Sequence, residues 1–205
     1  MAAVAPVAMH RALAAEEAAR ADFYALLARL LGSAPDGALL QMIAHAGPLA
    51  GHSELALAWR TLVDASSAMD ENAAGDEYQA LFGGLGKSPV SIYAGHYSGA
   101  VAVGHPRIRV QRDLEALGLA HRSTTQPEDH IAALFDAMRV LAAGGAGRGP
   151  AKLEEQRRFF DAHVKPAAGK FFATLAGAKE ANYYRRVAAL GAAFLAIEVE
   201  SFQLD

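Results

Sequence analysis

The sequence predicts an all-α protein, and three observations carry that reading. Apolar residues recur at three- and four-residue spacing along most of the chain. Convincing two-residue alternation occurs nowhere, and the gaps between periodic segments are marked by Gly and Pro. With 205 residues and 53% hydrophobic content the chain can bury a real core. The organisation expected is one compact multi-helix domain over 16–205, preceded by a flexible Ala-rich segment over 1–15.

The elements follow in order. Ala19, Phe23, Leu26, Leu27, Leu30 and Leu31 write a first strong helix, stopped by Gly32 and Pro35. A weaker helix is centred on Leu39 to Ala44. Ser53 is placed to cap the next one, which carries Leu55, Trp59, Leu62, Val63 and Met69. A short helix bears Tyr78, Leu81 and Phe82 and breaks at Gly83-Gly84. From Gly83 to Pro106 the periodicity fails, and an irregular stretch of that length is a candidate recognition segment. Helical pattern resumes from Arg107 to Gly118. Another helix starts near Pro127, carries Ile131, Leu134, Phe135, Met138 and Leu141, and ends by Gly144. The glycine-rich run 144–150 reads as a connector or hinge, which would permit exchange of the C-terminal helices between subunits. Phe159, Phe160 and Val164 lead to Pro166, then come Phe171, Phe172 and Leu175. A long last helix carries Tyr183, Tyr184, Val187, Leu190, Phe194 and Leu195.

Composition excludes several classes. Nineteen Lys and Arg against 22 Asp and Glu give a formal charge of -3, which argues against a nucleic-acid binder. No cysteine is present, so disulfides, thiolate ligands and Cys nucleophiles are out. The N-terminus lacks the layout of a signal peptide, and no run suggests the roughly 18 apolar residues of a spanning helix. A cytoplasmic protein without stable membrane insertion is expected.

The chemistry concentrates in Gln126-Pro127-Glu128-Asp129-His130. Thr125 to Glu128 has the spacing of a capping box, and Asp129 in a first helical turn would gain roughly 0.3–1 kcal/mol from the macrodipole. His130 falls on the flank of the apolar face, at the border of core and solvent. A catalytic edge, a metal site and a peptide groove all remain open from these residues. None of the eight His supplies a His-Glu-x-x-His pair, no Gly-x-Ser-x-Gly elbow occurs, and Gly83 to Ser88 lacks the first glycine of a phosphate loop. Leu81 and Phe82 end at the glycine-rich stretch, where an apolar groove rimmed by acids would suit a basic and hydrophobic peptide.

Taken together, Glu77-Tyr78-Gln79-Ala80-Leu81-Phe82, Ser88-Pro89, Ser91-Ile92-Tyr93, Gln126 to Ala132, Phe160 to Val164 and Tyr184 resemble the TorD/DmsD/NarJ family of molybdoenzyme-maturation chaperones. The resemblance implies an all-helical cytoplasmic chaperone, not an enzyme. Such a chaperone binds the twin-arginine signal peptide of a molybdopterin oxidoreductase precursor and assists cofactor insertion before export. Motif positions carry over Leu81, Phe82, Ser88, Pro89, Tyr93, Pro127, Asp129 and His130 as peptide-binding residues. No metal and no resident cofactor are expected; the resemblance allows GTP and leaves monomer and homodimer open. The alternatives are a NarJ-like chaperone that grips the mature region of a nitrate-reductase-type enzyme, and a small nucleotide hydrolase using Asp129 and His130. Two departures, Pro89-Val90 before Ser91 and Ala167 where a Trp is familiar, bear on the shape of the groove.

Overall fold

Side-chain caps set the helix starts. In the computed structural model, residues 5–83, 88–99, 105–119, 127–145, 147 and 149–204 are described, with the first ten as backbone only. Helix α1 spans Ala5–Gly32, so the segment expected ahead of the domain contributes helical backbone from Ala5 onward. The Asp36 carboxylate accepts from Leu39 N at 2.7 Å to start α2 (Gly37–Ala44). Ser53 Oγ accepts from Ala56 N at 3.2 Å to start α3 (Glu54–Ala68), as its position in the sequence predicts. Asp70 accepts from Asn72 and Ala73 N at the head of α4 (Glu71–Phe82). Each such cap satisfies backbone donors that the first turn leaves open.

Past α4, a 3-10 turn (Ala94–His96) interrupts the irregular stretch before α5 (Pro106–Ala116). Helix α6 (Ile131–Ala143) ends at Gly144, whose φ of 79° is the left-handed geometry that glycine adopts without strain. Helix α7 (Leu153–Phe159) continues through a five-residue π-turn, Phe160–Val164, into α8 (Lys165–Gly177), and α9 (Tyr183–Leu204) closes the domain. The rod from α7 to α8 passes Pro166 unbroken. Its wide turn has Lys165 N–H donating to the Phe160 carbonyl five residues back, next to a proline that has no N–H to give.

Two helices organise the core. Helix α1 lays Tyr24, Leu27, Leu30 and Leu31, all fully buried, against α6, while α9 packs on both α8 and α3, and α2 leans on α3. Aromatic rings join these layers: Tyr24 meets Phe194 edge-on at 4.8 Å, and Phe135 stacks on Phe172 at 5.9 Å. At the closest approach of α8 and α9, a Cβ on Gly191 would lie 2.1 Å from the Phe172 ring. Helix α9 corrects one expectation, because by length and composition it could cross a membrane, with a mean hydropathy of 1.5. Half of that window is buried in the domain, where it carries core residues.

The Glu-Tyr-x-x-Leu-Phe motif is scaffold in this structure. The Glu77 carboxylate accepts from the N–H groups of Asn182, Tyr183 and Tyr184 at 2.7–2.9 Å, capping α9 from another helix. The Tyr78 and Tyr184 hydroxyls donate to the Leu31 and Leu30 carbonyls, which the end of α1 leaves free. At the far end of the same helices, the Arg20 guanidinium grips Glu198 through two bonds of 2.8 and 2.9 Å. Tyr24 OH donates to Glu198 at 2.6 Å, and Gln156 accepts from Arg20 at 3.3 Å. Burial works against the Arg20 charge, but hydrogen bonding and attraction from Glu198 outweigh it and raise its pKa.

Candidate functional site

The site is built where residues 92–94 run beside 129–131. Ala94 N donates to Asp129 O at 2.8 Å and Ile131 N donates to Ile92 O at 2.9 Å, forming an isolated antiparallel bridge between Tyr93 and His130. This pairing anchors the irregular stretch to the head of α6.

The helix starts later than its sequence signals suggest. Residues 127–130 form a turn, closed by His130 N–H donating to the Pro127 carbonyl, and the helix proper begins at Ile131. Thr125, the first half of the capping box read from the sequence, lies outside the described residues, and Glu128 pairs with Arg107 of α5. The cap is His130. Its Nδ1 accepts from Ala132 N at 3.2 Å, which fixes the tautomer with the proton on Nε2. The ring is 5% exposed, inside the core rather than at its border, and meets Tyr93 edge-on at 5.7 Å. Burial pushes its pKa down to about 4, so it is neutral at physiological pH.

Asp129 has the opposite character. It is 9% exposed, and among the described residues its carboxylate has no hydrogen-bond or ion-pair partner. Neither oxygen is sealed from solvent, because no fully buried polar atom lacks a partner. Asp129 lines a cleft of about 300 Å³. Gly95 forms the close wall beside it, where a Cβ would stand 3.1 Å from Asp129 Oδ2. Pro106, Arg109 and Val110 of α5 form one side of the cleft, and Asp161, Ala162, His163 and Pro166 of the π-turn and α8 form the other.

The two sides are clasped together. His163 Nε2 and Asp113 Oδ2 stand 2.8 Å apart, tying the π-turn to α5. Burial lowers the His163 pKa and the Asp113 bond opposes that shift. Asp161 is already compensated, lying 3.2 Å from Lys165 and 3.7 Å from Arg157. The cleft thus offers one carboxylate without a direct partner, with the Arg109 guanidinium in the same lining, in a volume at the small end of ligand pockets. Among the described residues, no three His, Asp or Glu side chains converge as a metal site would require.

The other residues singled out by sequence fall in separate places. Leu81 is fully buried and presents no surface, while Phe82 joins Tyr78, Phe171 and Tyr184 in an aromatic cluster. Ser88 donates to the Phe82 or Gly83 carbonyl, closing the end of α4, and Pro89 is exposed. Tyr93, Pro127, Asp129 and His130 come together, and of these Asp129 lines the cleft. Sequence reasoning did not assign roles to Arg109, Asp113 or Pro166. His163 stood within a motif fragment, and Pro166 after the core positions Phe159, Phe160 and Val164 was the available signal for a distorted turn.

A family model described as nitrate reductase delta subunit matches residues 50–173, more than half of the chain. That span contains every residue of the cleft. No curated protein matches the chain.

Proposed function

The chain belongs to the nitrate reductase delta subunit family, within the TorD/DmsD/NarJ group of maturation chaperones, and on that premise we propose an assembly role. It is a cytoplasmic chaperone for a nitrate-reductase-type molybdoenzyme, and it holds a short basic segment of the unfinished client in the Asp129 cleft. One observation carries the reading: an aspartate nine-tenths buried as a residue, without a partner among the described residues, whose carboxylate lines a cleft. An unpaired buried charge is unfavourable in the free protein. A guanidinium entering the cleft would supply paired, charge-assisted hydrogen bonds to both oxygens. His130 and Tyr93 hold the turn that presents the carboxylate, so their part is positional.

Two client segments have this chemistry: a twin-arginine leader, and a basic stretch in the mature catalytic subunit. Family membership favours the mature subunit of a nitrate-reductase-type enzyme. Calorimetry with the two peptides, each against the intact chaperone, separates them. Binding of the mature-region peptide, weakened about tenfold or more by Asp129→Asn, is the expected result, in line with a charged hydrogen bond of about 1.5–3 kcal/mol. Tight leader binding with no mature-region binding would transfer the role to export control. Unchanged affinity in Asp129→Asn would remove the cleft from the function.

A further inference from the structure

We propose that the cleft selects a client segment with one basic residue close to an acidic one, and disfavours a second basic residue. Arg109 is the specificity-determining group. The inference rests on the reading of the cleft as the client site.

The charges in the cleft lead to this. Asp129 supplies one free negative charge from the turn before α6. Arg109 lines the same cleft from α5, is half-buried, and among the described residues its guanidinium has no hydrogen bond or ion pair. The remaining charges near the cleft have direct partners: Asp161 has Lys165 and Arg157, Arg107 has Glu128 and feels Asp129 only at longer range, and Asp113 has Arg112 at 3.8 Å beside its bond to the His163 ring. The free groups are therefore one carboxylate and one guanidinium. A first client arginine or lysine meets Asp129. A second would find no free carboxylate, would have to displace the partners of Asp161, and would lie near Arg109, whereas a client Glu or Asp would pair with Arg109. Like-charge juxtaposition at an interface rejects the wrong partner as effectively as attraction retains the right one.

The test uses the full-length chaperone and a set of peptides with one Arg in an apolar background. Glu, Ala or Arg is placed at each of the three following positions, and affinities are measured by calorimetry at physiological salt. The best Glu peptide should bind about fivefold tighter than the Ala parent, the scale of a partly exposed ion pair, and the Arg peptides no tighter than the parent. Arg109→Glu should invert that order and Arg109→Ala should level it. Neither change removes a partnered group, and matching thermal melts verify that both variants fold. Arg peptides that bind more tightly than the parent, or an order unmoved by Arg109→Glu, would overturn the proposal while leaving the client site standing. Failure of every peptide to bind, or binding indifferent to Asp129→Asn, would strike the client-site reading itself and the proposal with it.

Discussion

Asp129 keeps contact with solvent, yet it is 9% exposed and has no hydrogen-bond or ion-pair partner among the described residues, so part of its hydration is lost without replacement. Asp129→Asn is accordingly expected to raise stability by about 0.5–1 kcal/mol while weakening client binding, the usual trade between a functional site and the fold that carries it. Urea denaturation beside calorimetry measures both, and a variant that loses stability would show that the carboxylate has a structural partner. His130 makes the opposite prediction. Its folded pKa of about 4 lies below the ordinary 6.5, so between those values the unfolded chain binds a proton that the folded chain does not. Stability is then full above about pH 6.5 and declines on acidification by up to about 1.4 kcal/mol per pH unit. His163 is shifted the same way and adds to the decline. His130→Asn keeps an oxygen for the cap and should flatten the profile between pH 7 and 5; an unaltered slope would count against the assignment. Asp129 was legible in the sequence as a carboxylate of a first helical turn, whereas it stands in the turn ahead of α6. Its isolation was not, because isolation depends on which neighbours fold elsewhere, and Glu128, one residue away, does find a cation.

Glu77 sits on α4, yet its effect is felt on α9, where it satisfies three backbone N–H groups. Glu77→Ala is expected to destabilise by about 2 kcal/mol, the upper range of a lost cap, and Glu77→Gln by less, without altering client affinity among folded molecules. Thermal melts with a binding assay test this, and a large affinity loss in folded Glu77→Gln would return the motif to the binding surface. Gly191 leaves room for the Phe172 ring between α9 and α8. Gly191→Ala forces the Phe172 ring to shift and should cost about 1–3 kcal/mol, recovered in part by Phe172→Leu in the double variant. Helix identity was readable throughout from three- and four-residue spacing, and the Ser53 cap from its residue type. The start of α6 was misread because Thr125, Pro127 and Glu128 are all standard initiation signals, whereas His130 caps through a ring nitrogen that residue preferences do not weigh. Continuity through Pro166 was equally hidden, since a π-turn has no periodic signature of its own.

Across the whole molecule, the first helix and the last are locked by Arg20, Tyr24 and Glu198, with Gln156 of α7 as a third point. Arg20→Met leaves Glu198 charged and fully buried, and a loss of about 3–5 kcal/mol is expected. Adding Glu198→Gln removes the stranded charge, so the double variant should be more stable than the single one; chemical denaturation of the set decides it. The all-α class and the single domain were legible from composition and period. The cleft was not, because Arg109, Asp129 and His163 come from three separate segments whose meeting is a property of the packed helices. The lock between α1 and α9 also has a consequence for synthesis. Arg20 and Tyr24 leave the ribosome long before Glu198, and at roughly 5–20 residues per second the first helix waits about ten seconds or more for its partner. Until then its apolar stripe lacks the part of its wall that α9 provides. The chaperone is itself a nascent chain that cannot close until its last helix has emerged.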